Sequence, residues 1–60
     1  MSALEGFIAR MVIKYSTDDL EKGKALYRKY FIATNIYAKF KAGVDAAVKE
    51  AGFDKVISES

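Results

Sequence analysis

Small and apolar residues recur at alternating steps of three and four from Gly23 to Ala51: Gly23, Leu26, Tyr30, Ala33, Tyr37, Phe40, Val44, Ala47 and Ala51. Such spacing holds one stripe on one side of an α-helix, as the seam of a packed helix pair does. The opposite line, Glu21, Arg28, Asn35, Ala42 and Lys49, has no large apolar side chain, so one register runs through Thr34 and Asn35. A shorter pattern precedes it. Leu4, Phe7, Ile8, Met11, Val12 and Tyr15 share a helical face, with Arg10 and Lys14 on the other, and Ile13 alone departs from the scheme. The two patterns predict a helix over 3–15 and a long helix over 18–51.

The segment ends carry matching signals. Ser2 and Glu5 have capping-box spacing. In Ser16-Thr17-Asp18-Asp19, Ser16 or Thr17 is the expected cap of the next helix, and Asp18, Asp19 and Glu21 put negative charge at its start. Asp18 is also spaced to pair with Lys22. Gly52 and Phe53 fit a Schellman ending, with Gly52 at C′, Phe53 folding back onto Val48, and Asp45 paired with Lys49 just before it. Residues 54–60 read as a tail that lays Val56 and Ile57 in a surface groove and then frays. Two weak points lie between these ends. Thr34-Asn35 competes locally for backbone hydrogen bonds, and Gly43 costs about 1 kcal/mol in a helix interior. Proline is absent, so neither forces a break.

Length turns this pattern into an assembly argument. A single helix over 23–51 is about 43 Å long, against about 27 Å for the diameter of a compact chain of this size. The first helix, about 20 Å long, covers only half of it and leaves Tyr37, Phe40, Val44 and Val48 beyond reach. Phe31, Ile32 and Ile36 add apolar surface off the seam, as in a helix surrounded by several others. The expected fold is therefore all-α: one domain over 1–60, an unequal helical hairpin completed by self-association into a helical bundle. The expected homo-oligomer, a dimer or tetramer, uses Leu26, Tyr30, Ala33, Tyr37, Phe40, Val44 and Ala47 as its interface. The alternative is a monomeric three-helix bundle, with the long helix broken at Thr34-Asn35 or Gly43.

Composition strengthens the case for association. Sixty residues with 52% hydrophobic content make a domain that is marginal alone. There is no cysteine for a disulfide and no histidine for a metal. Without either residue type the common nucleophile–base pairs are also missing, so no catalytic, metal-binding or cofactor-binding residue is assigned and no enzyme is expected. Asp18, Asp19 and Glu21 suit a helix start and match no calcium loop. The tyrosines, at helical spacing, read as packing aromatics.

Nucleic acid is the rival partner. Lys22, Lys24, Arg28, Lys29, Lys39 and Lys41 lie among Tyr27, Tyr30, Phe31, Tyr37 and Phe40, with no acid between Lys22 and Val44. Phosphate contacts and base stacking both follow from such a mixture. The basic residues spread around the helix, however, and the net charge is only +2. The apolar face of helix one resembles that of an interfacial membrane helix, but a hairpin core needs the same face. The run from Phe7 to Ile13 is interrupted by Arg10 and is no signal peptide, so the expected location is cytoplasmic. The sequence thus points to a small self-associating interaction protein that acts by binding another macromolecule, as an adaptor, inhibitor or regulator. A nucleic-acid-binding helical oligomer is the alternative.

Overall fold

The computed structural model describes residues 2–60. Their regular structure is entirely helical: α1 (Ala3–Asp18), α2 (Leu20–Phe31), a 3-10 turn (Ala38–Phe40) leading into α3 (Lys41–Glu50), and α4 (Asp54–Ser58). Ser2 starts α1 by accepting a hydrogen bond from the Glu5 N–H at 3.1 Å. The helix then runs through Asp18 instead of stopping at residue 15. Ser16 and Thr17 do not cap α2; their hydroxyls donate back to the carbonyls of Val12 (2.7 Å) and Ile13 (2.9 Å) and so continue α1. Asp19 alone makes the turn, and its carboxylate accepts from the Glu21 N–H at 3.0 Å to start α2.

That one-residue link folds α2 back on α1 at close range. Ser16 is buried against Gly23, where an added Cβ would collide with the serine hydroxyl and lie 2.9 Å from its Cα. A glycine here sets the approach of the two backbones.

The long helix expected over 18–51 is interrupted. After Phe31 the N–H groups of both Ile32 (2.9 Å) and Ala33 (2.8 Å) donate to the Arg28 carbonyl, and the chain turns through residues 32–37. Thr34 Oγ1 accepts from the Ile36 N–H at 3.3 Å, the local competition its sequence position suggests. Energetics favour the break. A few helical hydrogen bonds, each worth about 0.5–1.5 kcal/mol net, are exchanged for the burial of Val44, Val48 and Val56, each worth about 1.5–3 kcal/mol. All three are 0% exposed. The molecule measures 25 × 22 × 16 Å, so a straight rod over 23–51 has no place in it.

One core results: Ile8, Ala9 and Val12 from α1, Tyr27 and Phe31 from α2, Val44 and Val48 from α3, and Val56 from α4. Gly52, at φ 92°, ends α3 in the predicted Schellman motif, with Gly52 N–H donating to Lys49 O (3.0 Å) and Phe53 N–H to Val48 O (3.1 Å). The expected frayed tail is instead helix α4. It is clasped to α2 by Lys24 Nζ on the Glu59 carboxylate at 2.6 Å and by Arg28 donating to the Glu59 carbonyl at 3.3 Å. Asp45 pairs with Lys41 (2.9 Å), not with Lys49, and among the described residues Asp18 and Lys22 form no ion pair.

Candidate interaction surface

Helix α1 is apolar on two sides. Its inner side supplies Ile8, Ala9 and Val12 to the core. On its outer side Leu4, Phe7, Met11 and Tyr15 recur at steps of three and four, and so form a second stripe. Leu4, Phe7 and Tyr15 are 42%, 49% and 43% exposed, with Met11 half-buried between them. The stripe is about 17 Å long, at about 1.5 Å per residue.

At its Tyr15 end the stripe opens into a shallow groove of about 290 Å³, floored by Ala25 and Leu26 of α2 and edged by Lys22 and Lys29. On the other flank of α1, Arg10 and Lys14 are exposed one and two turns along from Phe7. Arg10, Lys14, Lys22 and Lys29 therefore frame an apolar floor, and Asp18 stands beside Lys14, Tyr15 and Lys22 at one end. Among the described residues, none of these four cations is in an ion pair. Ile32 and Ile36, in the turn after α2, are the other large exposed apolar side chains among the described residues.

The expected oligomer seam is dispersed by the break. Val44 is wholly inside this chain's own core and has no surface for a second copy. Leu26, Tyr30, Tyr37, Phe40 and Ala47 are partly buried against that core. Tyr30 and Tyr37 meet edge to face, with ring centroids 5.1 Å apart. Ala33 is exposed in the turn. Of the seven, only Leu26 lies in the groove beside Tyr15.

The expected nucleic-acid contacts do not gather on one face either. Lys24 is 8% exposed and held between Glu21 (2.9 Å) and Glu59 (2.6 Å). Its pKa is raised, chiefly by the Glu59 hydrogen bond and then by Glu21, and the same contact lowers that of Glu59. Arg28 is engaged with the end of α4, Lys41 with Asp45, and Lys39 lies 5.2 Å above the Phe40 ring. Lys22 and Lys29 alone are placed together, on the groove.

Sequence reasoning weighed the apolar face of α1 opposite Arg10 and Lys14 only as a membrane surface or core face, and did not separate its inner from its outer residues. The signal was present: the apolar arc from Leu4 to Tyr15 is too wide for one packing partner to cover, and Ile13 widens it further.

Among the described residues no buried side-chain polar atom lacks a hydrogen-bond partner. The Tyr27 hydroxyl, 1% exposed, donates to Asp45 Oδ1 at 2.7 Å, and Asp45 in turn holds Lys41. Burial first, and then the Asp45 hydrogen bond, raise the tyrosine pKa, so it stays protonated at neutral pH and acts as a buried strut. A cleft of about 610 Å³ is lined by Ser16, Leu20, Gly52, Phe53, Asp54 and Lys55, and the Ser16 hydroxyl is already bonded to Val12. Among the described residues no three potential metal ligands cluster, and no helix is long and apolar enough to cross a membrane. No protein-family model matches the chain, and neither a curated protein nor a solved structure matches it significantly.

Proposed function

We propose that this chain is a small non-catalytic interaction protein that docks on another macromolecule through the outer stripe of α1 and the adjoining groove on α2. The observation that carries the reading is the exposure of Leu4, Phe7 and Tyr15 in one line on a well-capped helix. A 60-residue chain has little apolar surface to spare for its own core, and an exposed contiguous patch of this kind is the usual mark of a protein contact. In that role the protein acts as an adaptor, inhibitor or regulator. The test is a photo-crosslinking residue at position 7, with position 49 as an exposed control, in the cell that makes the protein. Discrete adducts from position 7 and none from position 49 are expected; the absence of any position-7 adduct overturns the reading.

Self-association through the same stripe is a second reading, supported by the marginal size of the domain. It brings the cations of two copies together, so association should grow as salt screens their repulsion. Light scattering across concentration and salt decides it: a mass that stays near 6.7 kDa throughout removes self-association.

A further inference from the structure

We infer that the surface formed by α1 and α2 binds an acidic amphipathic helix of another protein, an inference that rests on the docking role proposed above. Shape and charge both point there. Two helices folded back on one another leave a furrow between them, and a third helix is the element that fills such a furrow. The apolar surface is the line Leu4, Phe7, Met11 and Tyr15 along α1, about three helical turns long, continued at its Tyr15 end by Leu26 in the groove.

The frame is basic on both sides: Arg10 and Lys14 from α1, Lys22 and Lys29 from α2. These cations lack acidic partners within the described residues, whereas Lys24 and Lys41, elsewhere on the molecule, are paired. Asp18 lies beside Lys14, Tyr15 and Lys22 at one end of this surface, and the Glu5 side chain, at the start of α1, ends beside Gly43. A partner helix carrying acids on both sides of a leucine face would satisfy all four cations at the rim while covering the floor. A second copy of this chain would bring four more cations instead, so complementarity selects against it.

The experiment uses the full chain and fluorescence anisotropy with two labelled peptides of about 15 residues, long enough for the stripe at about 1.5 Å per residue. Both carry leucine at the same helical i, i+3, i+4 and i+7 positions; one has glutamate at the remaining positions and the other lysine. Phosphatidylglycerol vesicles and single-stranded oligothymidine serve as the other anionic ligands. The glutamate peptide should bind saturably and the lysine peptide should not. Binding should weaken as salt rises. It should fall about tenfold in Lys22→Glu/Lys29→Glu and be lost in Phe7→Ser, with both variants retaining the helical circular dichroism of the parent.

Failure of glutamate-peptide binding, or binding indifferent to Phe7, overturns the inference. Equal, Phe7-dependent binding of both peptides also overturns it while leaving the docking role standing. Phe7-dependent binding of vesicles or oligothymidine without the glutamate peptide assigns the surface to that ligand instead. No peptide binding together with no crosslink from position 7 removes the docking role as well.

Discussion

The two sides of α1 are almost equally apolar, and they have opposite fates. Ile8, Ala9 and Val12 face α2 and α3 and lose essentially all contact with water, while Leu4, Phe7 and Tyr15 keep over 40% of their surface. Hydrophobicity does not separate the two groups, since Phe7 is as apolar as any core residue. What separates them is partner geometry. Asp19 and Gly23 bring α2 onto the inner side, the turn over residues 32–37 returns α3 to it, and among the described residues no element covers the outer one to the same degree. An apolar face left open by a fold that had the means to bend is a different object from a core, and its energy is available to another molecule.

The comparison breaks first if the inner side is not the one that carries stability. Ile8→Ala removes a fully buried side chain and should cost about 2–5 kcal/mol, a large part of the total expected for about 60 residues at about 0.05–0.15 kcal/mol each. Urea unfolding measures it, and a cost under about 1 kcal/mol would mean that α1 is not packed as described.

Two glycine substitutions sharpen the point. Gly23→Ala drives a methyl against the Ser16 backbone; overpacking of about 1–3 kcal/mol outweighs a helix-propensity gain of about 1 kcal/mol, so the midpoint falls. At Gly43→Ala the nearest atoms are the carboxylate end of the Glu5 side chain, which can swing away. There the propensity gain prevails, and the midpoint holds or rises by up to about 1 kcal/mol. If Gly23→Ala instead raises stability, the close α1–α2 approach is wrong.

Where the sequence was legible, the reason was chemistry confined to a few neighbouring residues. Ser2, with the Glu5 N–H, opens α1, and Gly52-Phe53 closes α3 in the geometry that a glycine at C′ permits. Ser16 and Thr17 were misread because a hydroxyl at a helix end can cap forward or bond backward, and only the tertiary placement of Ser16 against Gly23 decides. The break after Phe31 was harder still. The 3-4 spacing survives it: Tyr30, Tyr37 and Phe40 all pack on the core from opposite sides of a turn. Periodicity constrains which residues face the core and does not say that one helix carries them all. Val44 and Val48 decide for the break through contacts with distant parts of the chain, and no local window contains that information. The surface proposed on α1 was half legible: its apolar residues were all on one predicted face, but nothing local told which part of the arc the chain would cover.

The clasp of α4 gives a smaller effect that distinguishes the closed inner side by pH. Lys24 hydrogen-bonds the Glu59 carboxylate, which lowers the glutamate pKa and raises that of the lysine. A carboxyl with a depressed folded-state pKa adds stability at all pH above its unfolded value of about 4.3. That stability is lost as pH falls through the folded value. The lysine contribution is present below about 10.4 and is lost as pH rises through its own raised value. Urea midpoints of the parent and Glu59→Gln should therefore differ at pH 7 and converge toward pH 3. A difference that persists in acid would place the contribution of Glu59 outside this ion pair.

The smallest expected change in stability belongs to the outer side, and it is the most discriminating. Phe7→Ser removes an aromatic ring that is half in water already, outside the buried core and the Ser2–Glu5 cap of the helix. Substitutions at such positions shift stability by about 0.5 kcal/mol or less, with serine costing α1 only a few tenths in helix propensity, of order 0.5 kcal/mol. Set beside Ile8→Ala one residue away, this is a contrast of severalfold between neighbours of similar hydrophobicity, and unfolding curves for the two variants measure it directly. A loss at Phe7 equal to that at Ile8 would mean that the ring is already covered in the free protein, by this chain or by another copy. In that case the open stripe, and every binding role argued from it, would have to be given up. A near-zero loss leaves the ring with no structural task of its own. Its place in a line with Leu4, Met11 and Tyr15, between two pairs of unpartnered cations, then has to be explained by what it meets.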